Sequence, residues 1–319
     1  MLSHLDRRAT PLRLLGTLAL LATSTAAMAL PGTTEAAAAK LATVVKVPAR
    51  GPAGRAARPR PISALKCIVI APDGRTAYVL DELSASVIPV ALPSDRPGRP
   101  LKVGKEPLAL VVAPNGKVAY VASYATGTVT PLNLATGKLG RPTRVAGPED
   151  IAITPNGKTL YVADFSSSTL TPLSTATGRA GRPLGAGQGP WALAVSPNGK
   201  ALYVANFISG TVTTLDLATG RGAAAIKVGP GPEAIAFTPN SKTAYVASFS
   251  SATVTPIDVA TNKALRPIKV GAGPDAIAIT PNGKTAYVAD ISSGTVTPID
   301  VATNKALRPI KVGAGPDAI

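Results

Sequence analysis

The sequence DAIAITPNGKTAYVADISSGTVTPID, residues 275–300, contains three short apolar runs separated by turn-forming residues. Alternating Ala and Ile at its start predict a first strand, and Pro281–Lys284 favours a tight hairpin turn. Second and third strands are predicted over 285–289 and 295–300. A fourth run, 306–312, completes the pattern. Four successive short strands predict one four-stranded antiparallel unit.

A Tyr-Val pair marks six copies of this unit. The pairs are separated by 42, 41, 42, 42 and 42 residues, the spacing of a four-stranded propeller blade. We therefore predict an all-β propeller over residues 64–319, with six complete units and the start of a seventh. Residues 300–319 repeat 258–277 without a change, so we expect the reading frame to be truncated inside a first strand; a six-bladed ring with an extra tail is the alternative. The six tyrosines are Tyr78, Tyr120, Tyr161, Tyr203, Tyr245 and Tyr287.

Proline recurs inside the predicted third strands. Because proline has no N–H to donate, it is tolerated in sheets at edges and bulges. A bulge in the third strand is therefore predicted. The tyrosines themselves are expected to pack between blades, with each hydroxyl reaching a polar partner. The third-strand prolines are Pro89, Pro131, Pro172, Pro256 and Pro298.

The N-terminus has the three parts of a secretory signal peptide. Arg7 and Arg8 precede an apolar run from Leu14 to about Leu30, and small residues end the segment near Ala29. We predict a signal peptide over residues 1–29 and a secreted, extracellular or cell-surface location. A retained anchor is the alternative, but the run is short and interrupted by hydroxyl residues. The mature chain is thus expected to have no transmembrane domain.

Residues 30–63 form a linker rich in Pro, Gly and Arg, and residues 41–47 within it have the pattern of a strand that could close the ring. Lys and Arg without any acid over residues 40–66 account for +7 of the formal net charge of +16. This stretch could bind an anionic wall polymer, and a charged spacer is the alternative. Elsewhere the lysines recur once per blade in solvated turns. No nucleic-acid partner is therefore predicted.

Several enzyme classes lack their side chains in the predicted mature chain. The only histidine, His4, lies in the signal peptide, and Cys67 is the only cysteine. Without them there is no disulfide, no Cys/His zinc site and no Ser-His-Asp triad. Cys67 lies in an apolar run and is predicted to be a buried small hydrophobe. Carboxylate chemistry is the enzymatic route that remains.

Six equivalent positions follow the residue that opens each first strand, and four of them are acids. A convergent acidic ring could hold a divalent cation, or a cationic ligand beside Trp191. The alternative is a solvated turn. No cofactor is predicted beyond that cation. The aligned residues are Leu108, Glu149, Trp191, Glu233, Asp275 and Asp317.

A second set of polar residues ends the second strands and is expected to cap loop amides. The aromatic residues that follow it are expected to brace the loops, and an exposed patch for a glycan or protein is the alternative. The polar set is Asp81, Ser123, Asp164, Asn206, Ser248 and Asp290, and the aromatic set is Tyr124, Phe165, Phe207 and Phe249.

The unit resembles the YVTN-family β-propeller repeat. The resemblance rests on the segments AYVA at 244–247, TVT at 253–255, DVATNK at 258–263 and IAITPNGK at 277–284, and it covers residues 64–319. It implies a seven-bladed secreted or surface-layer protein, a type in which few members have a defined activity. The motif departs from Tyr-Val-Thr-Asn, with Ala-Asp, Ala-Ser or Ala-Asn at the last two positions of the second to sixth copies. This departure bears on the loop and leaves the fold intact.

These observations favour an exported, non-catalytic propeller that binds a protein or glycan at the cell envelope or acts as a scaffold. Nearly uniform blades favour avidity over a single asymmetric pocket. The alternative is a carboxylate- or divalent-metal-dependent hydrolase similar to propeller lactonases. In that case Glu149, Glu233 and Asp275 would carry the chemistry.

Overall fold

The computed structural model describes residues 65–92, 94–316 and 319. The predicted signal peptide, the linker over 30–63 and the strand at 41–47 lie outside these residues. Asp317 of the predicted acidic ring also lies outside them.

Blade by blade, the strands follow the chain. Blade 1 contains β1 (Leu65–Ile70), β2 (Thr76–Asp81), β3 (Ser86–Ala91), β4 (Arg96–Pro97) and β5 (Leu101–Lys102). Blade 2 contains β6 (Pro107–Val112), β7 (Val118–Ser123), β8 (Thr128–Asn133) and β9 (Thr143–Arg144). Blade 3 contains β10 (Pro148–Ile153), β11 (Thr159–Asp164), β12 (Thr169–Ser174) and β13 (Leu184–Gly185).

The second half of the propeller repeats this order. Blade 4 contains β14 (Pro190–Val195), β15 (Ala201–Asn206), β16 (Thr211–Asp216) and β17 (Ile226–Lys227). Blade 5 contains β18 (Pro232–Phe237), β19 (Thr243–Ser248), β20 (Thr253–Asp258), β21 (Lys263–Ala264) and β22 (Ile268–Lys269), with a 3-10 helix at Phe249–Ser251. Blade 6 contains β23 (Pro274–Ile279), β24 (Thr285–Asp290), β25 (Thr295–Asp300), β26 (Lys305–Ala306) and β27 (Ile310–Lys311).

Each blade is an antiparallel sheet whose first four strands pair in sequence order, and β5, β22 and β27 pair with the third strands of their blades. The first strands of successive blades pack side by side, from β1 through β6, β10, β14 and β18 to β23. This arrangement confirms the all-β propeller of four-stranded blades, with six blades in the described residues and no α-helix among them. Nor does this part of the chain hold a helix long and apolar enough to span a membrane.

Local sequence explains the hairpin that joins the first two strands. In blade 6, Gly283 has a φ of 68°, a left-handed conformation that glycine adopts without strain. The Asn282 side chain accepts a hydrogen bond from the Lys284 N–H at 3.0 Å. The hydroxyl of Thr280 donates to Asn282 Oδ1 at 2.7 Å and accepts from the N–H of Thr285 at 3.1 Å. The turn motif therefore satisfies its own polar groups.

Tyrosines of the second strands link neighbouring blades, as predicted. The Tyr203 hydroxyl donates to Asn262 Oδ1 in the next blade at 2.6 Å. Tyr245 makes the same bond to Asn304, also at 2.6 Å. Both tyrosine side chains are fully buried. The Tyr-Val signature thus marks a contact between blades as well as a strand.

The predicted bulge in the third strand is wrong. Pro298 pairs with Tyr287 in an unbroken register, and the other third-strand prolines do the same. The Pro298 carbonyl accepts the Leu307 N–H at 2.7 Å, so its nitrogen also faces the fourth strand. That strand is divided there into β26 and β27, with Pro309 between them. Because Pro298 has no N–H, it is accommodated where the fourth strand is interrupted. The prediction of a continuous fourth strand over 306–312 is therefore also wrong.

Candidate binding site at the channel mouth

Bulges occur at the start of all six first strands in the described residues. In blade 3, Pro148 pairs with Asp164 and Asp150 pairs with Ala163, so Glu149 between them has no partner in the ladder. The extra residue of a bulge is free to carry its side chain away from the sheet. The sequence predicted four of the six positions as candidate site residues. We call the set the bulge ring: Lys66, Leu108, Glu149, Trp191, Glu233 and Asp275.

Sequence reasoning missed the first member of the bulge ring. The sequence groups Lys66 with the basic stretch over residues 40–66, and an alignment on the opening proline omits it because blade 1 opens with Leu65. The structure places Lys66 in β1, where its ammonium group lies 3.3 Å from a carboxylate oxygen of Glu82. Aligning the blades on the Tyr-Val pair alone would have found it. The ring therefore contains a cation as well as acids.

Two acids of the bulge ring form a buried pair. Glu233 in β18 and Asp275 in β23 come from neighbouring blades and are only 6% and 3% exposed. Burial, together with the hydrogen bond and the negative charge of Asp275, raises the pKa of Glu233 to about 10. Two carboxyl groups this close share one proton at neutral pH. The pair therefore carries a single negative charge.

Glu149 stands on the other side of Trp191 in the bulge ring. Burial raises its pKa to about 6, while the positive charge of Lys66 acts to lower it. At pH 7 the side chain is therefore mainly ionised. Negative charge flanks Trp191 on both sides, from Glu149 in the preceding blade and from the Glu233–Asp275 pair in the following blades.

Trp191 is held between two phenylalanines. Its ring lies 5.7 Å from that of Phe165, edge to face, and 5.5 Å from that of Phe207, tilted by 37°. Such contacts fix the orientation of the indole. The indole N–H is buried and has no acceptor among the described residues. A donor without an acceptor at this position is a group that a ligand could satisfy.

Asp150 and Cys67, one residue beyond the ring, have structural roles. The Asp150 carboxylate accepts the N–H of Ile151 at 2.8 Å and that of Leu193 in the next blade at 2.7 Å. Burial raises its pKa to about 8, against these hydrogen bonds, which lower it. Cys67 is fully buried, as predicted, and burial raises the pKa of its thiol to about 12. The thiol therefore stays protonated and unreactive.

The second polar ring caps loops in part, as predicted. Asp81 accepts the N–H of Ser84 at 3.0 Å, and Asp164 accepts those of Ser166 and Ser167, both at 3.0 Å. Asp164 also lines a shallow depression of about 460 Å³ between blades 2 and 3. Because these amides already occupy one of its oxygens, the depression offers less polar chemistry than the bulge ring.

The aromatic residues after the second strands differ in exposure. Phe207 and Phe249 lie against Gly231 and Gly273 of the following blades, where an added Cβ would come within 3.3 and 3.1 Å of the rings. These aromatic rings brace the junctions between blades. Tyr124, in contrast, is exposed. The same set thus contains both the predicted braces and one exposed aromatic residue.

In the described ranges, no group of three or more His, Cys, Asp or Glu side chains is arranged to hold a metal ion. The bulge ring brings together Glu233 and Asp275, and it places Glu149 apart from them beyond Trp191. What these residues offer chemically is a proton-sharing carboxyl pair, an ionised carboxylate and an oriented indole.

Comparisons with known proteins agree with the fold. No curated protein matches the chain. The solved structure titled "Kuenenia stuttgartiensis Hydrazine Synthase" is 20% identical, with a TM-score of 0.73 over 84% of this chain and 92% of that chain. At this identity the likeness shows the propeller fold alone. The resemblance to YVTN repeats stays a prediction.

The model of one propeller family matches a stretch of this chain that spans several blades. The match covers residues 138–313, which is more than half of the chain and runs from the end of blade 2 through blade 6. The chain therefore belongs to the family described as Lactonase, 7-bladed beta-propeller.

Proposed function

We propose that this protein is an exported, non-catalytic binding propeller at the cell surface, and that its bulge ring binds a small organic cation. The observation that carries the proposal is the position of Trp191. Its indole is fixed by Phe165 and Phe207 and stands between Glu149 and the Glu233–Asp275 pair. An aromatic face with carboxylates on both sides is the arrangement that attracts a cationic group.

The charges around Trp191 favour a cation over an anion. Lys66 is the only cation of the ring and is paired with Glu82. Glu149 is ionised above a pH of about 6, and the carboxyl pair keeps one charge. The free indole N–H adds a place for an oxygen acceptor on the ligand. A molecule with both an ammonium group and a hydroxyl group, such as choline, is therefore a suitable probe.

Binding can be followed by fluorescence, because Trp191 is the only tryptophan of the chain. Titration of the full chain with choline is expected to give a saturable change in emission. Glu149→Gln should weaken binding about tenfold, equivalent to ~1.4 kcal/mol. Glu233→Gln should change it little, since Asp275 then keeps the charge of the pair. Glu106→Gln, at an exposed position outside the ring, is the control.

Two outcomes would contradict the proposed site. One is an emission spectrum that choline does not change, and the other is equal affinity in the wild type and the Glu149→Gln variant. Calorimetry on Trp191→Leu provides a reading without the fluorophore. Leucine already stands at the equivalent position 108, so this substitution is compatible with a bulge.

Export is tested independently of the ligand. Expression of the full chain in a secreting host should yield extracellular or surface-bound protein that begins after residue 29. If the protein stays inside the cell with an intact N-terminus, the exported part of the proposal fails while the binding part stands.

A second candidate function is hydrolysis, favoured by the hydrogen-bonded Glu233–Asp275 pair and by the name of the family. A carboxylic acid beside a carboxylate can act as acid and base on an ester or lactone. Hydrolysis of δ-valerolactone, followed at constant pH with and without Ca²⁺, separates the two functions. We expect the uncatalysed rate. A faster rate that is lost in both Glu233→Gln and Asp275→Asn would establish the hydrolase and contradict the non-catalytic role.

A further inference from the structure

An apolar strip leads from the bulge ring to the surface of the propeller. The Trp191 ring lies 5.7 Å from that of Phe165 and 5.5 Å from that of Phe207, measured between ring centroids. Ile208 follows Phe207 in the loop after β15 and is 60% exposed. We call these four residues, Phe165, Trp191, Phe207 and Ile208, the apolar strip. Its three aromatic members are half-buried, so exposure increases towards Ile208.

Gly189 connects Ile208 to the aromatic members of the strip. A Cβ added at Gly189 would lie 2.7 Å from Cγ1 of Ile208 and 3.0 Å from Cε2 of Phe165, so both side chains lie against the same backbone position. Because glycine has no side chain, residue 189 places none between them. The exposed isoleucine is therefore continuous with the aromatic residues around Trp191, and the four side chains form one surface.

Hydrogen bonds fix the backbone on both sides of Ile208. The Phe207 N–H donates to the Gly189 carbonyl at 2.7 Å, and the Ser209 N–H donates to the Gln188 carbonyl at 3.3 Å. Ile208 thus remains exposed although its loop is held against the segment that leads into β14. A contiguous apolar surface that ends beside charged groups is typical of a binding site.

The other blades show that folding does not require an isoleucine at this position. The second residue after each second strand is exposed in all six described blades, and it is serine in blades 3, 5 and 6 and alanine in blade 2. Blade 1 has a leucine there, but its bulge-ring residue is Lys66. Only in blade 4 does a large apolar residue at this position accompany an aromatic residue of the bulge ring. The six equivalent residues are Leu83, Ala125, Ser166, Ile208, Ser250 and Ser292.

We propose that the ligand of the bulge ring is an amphiphilic cation whose alkyl chain lies on the apolar strip and reaches Ile208. This inference rests on the proposed cation site, because it places the ammonium group at Trp191 and extends the chain from there past Phe165. Contact between the chain and Ile208 removes apolar surface of both from water. Ile208 is therefore a specificity-determining residue that favours cations with an alkyl chain over compact cations.

Calorimetric titration of the full chain tests the alkyl chain and the charge separately. Tetramethylammonium, butyltrimethylammonium and hexyltrimethylammonium share one charge and differ in chain length. Each added methylene group should tighten binding about two- to fourfold. Ile208→Ser, which introduces the residue of blades 3, 5 and 6, should remove most of this gain and leave the affinity for tetramethylammonium unchanged. Leu83→Ser, at the equivalent exposed position of blade 1, is the matched control and should keep the full gain.

The titrations distinguish failure of this inference from failure of the proposed function. An equal gain per methylene group in the wild type and in Ile208→Ser would overturn the inference alone. So would tetramethylammonium binding that a longer chain does not tighten. If none of the three compounds binds, both the inference and the cation site are wrong. Hexan-1-ol has the chain without the charge, and binding as tight as that of hexyltrimethylammonium would also contradict both.

Methyl NMR gives a second and direct measurement of where the chain lies. In protein labelled at the isoleucine Cδ1 methyl groups, hexyltrimethylammonium should shift the Ile208 resonance, and tetramethylammonium should leave it in place. Ile70 and Ile310, which are 38% and 49% exposed elsewhere on the propeller, are internal controls. Shifts at these two residues without a shift at Ile208 would overturn the inference, since the chain would then bind exposed apolar groups without preference.

Discussion

Blades 5 and 6 end in the same sequence but in different surroundings. Residues 300–316 are identical to 258–274, yet Ile268 is 7% exposed and its counterpart Ile310 is 49% exposed. Val254 is fully buried, whereas the equivalent Val296 is only half-buried. Blade 6 covers the first member of each pair, and no further blade among the described residues covers the second. In a repeat array, burial is therefore a property of the neighbour and not of the repeat itself.

The largest expected difference concerns the isoleucine pair. Ile268→Ala should destabilise the full chain by about 2–4 kcal/mol, because it leaves a cavity inside a packed junction. Ile310→Ala should cost about 1 kcal/mol or less, since the side chain is half in solvent already. Urea denaturation followed by far-UV circular dichroism measures both. Equal losses of stability in the two variants would show that Ile310 is also buried in solution, and would contradict the difference between blades 5 and 6.

An effect of intermediate size on stability is expected from the carboxyl pair where blades 5 and 6 pack together. The pKa of Glu233 is about 10 in the folded chain, above its ordinary value of 4.5. Folding therefore favours the protonated acid, and the stability that it contributes is present below pH 4.5 and is lost as the pH rises through about 10. Thermal unfolding temperatures between pH 5 and 10 should fall in the wild type.

The Glu233→Gln variant sharpens this pH test, because an amide keeps the hydrogen bond without titrating. Its unfolding temperature should fall less over the same range. Asp150, whose pKa is also raised, to about 8, still titrates in this variant, so part of the decline should persist. If both proteins lose stability in parallel, the junction between blades 5 and 6 does not contain a shared proton.

The smallest expected effect concerns the tyrosines. Tyr245→Phe removes the hydrogen bond to Asn304 between blades 5 and 6 and should lower the free energy of unfolding by about 1 kcal/mol. Tyr287→Phe should be close to neutral, since its hydroxyl has no such partner in the described chain. Differences in urea midpoint between the two variants measure this contrast. A larger loss at Tyr287 would mean that a further blade contacts it.

The sequence predicted what depends on repetition. Regular Tyr-Val spacing was sufficient for the blade, and equivalent positions were sufficient to align Glu149, Trp191, Glu233 and Asp275 at one end of the first strands. It did not predict that the last two share a proton, because that depends on the distance between two blades. It also misplaced the bulge, since the direction in which the Pro298 nitrogen faces follows from the break in the fourth strand.

Lys66 shows a further limit of pattern reading. Composition groups it with the basic stretch over residues 40–66, whereas strand register places it in the bulge ring. The charge of the site changes with this one assignment. The pairing of β1 with β2 shows that Lys66 is the extra residue of the first bulge, and this pairing cannot be read from the composition of the segment.

The bulges have a consequence for how such a mouth can change. Blades 4 to 6 are nearly copies of one another in their first strands, yet the extra residue at the bulge is Trp191, Glu233 and Asp275 in turn. A residue outside the ladder can be exchanged without disturbing the hydrogen bonds that hold the strand. The side-chain chemistry of the opening and the folding of the blades are thus separable in this molecule, and one substitution per blade is enough to give the opening a new chemical character.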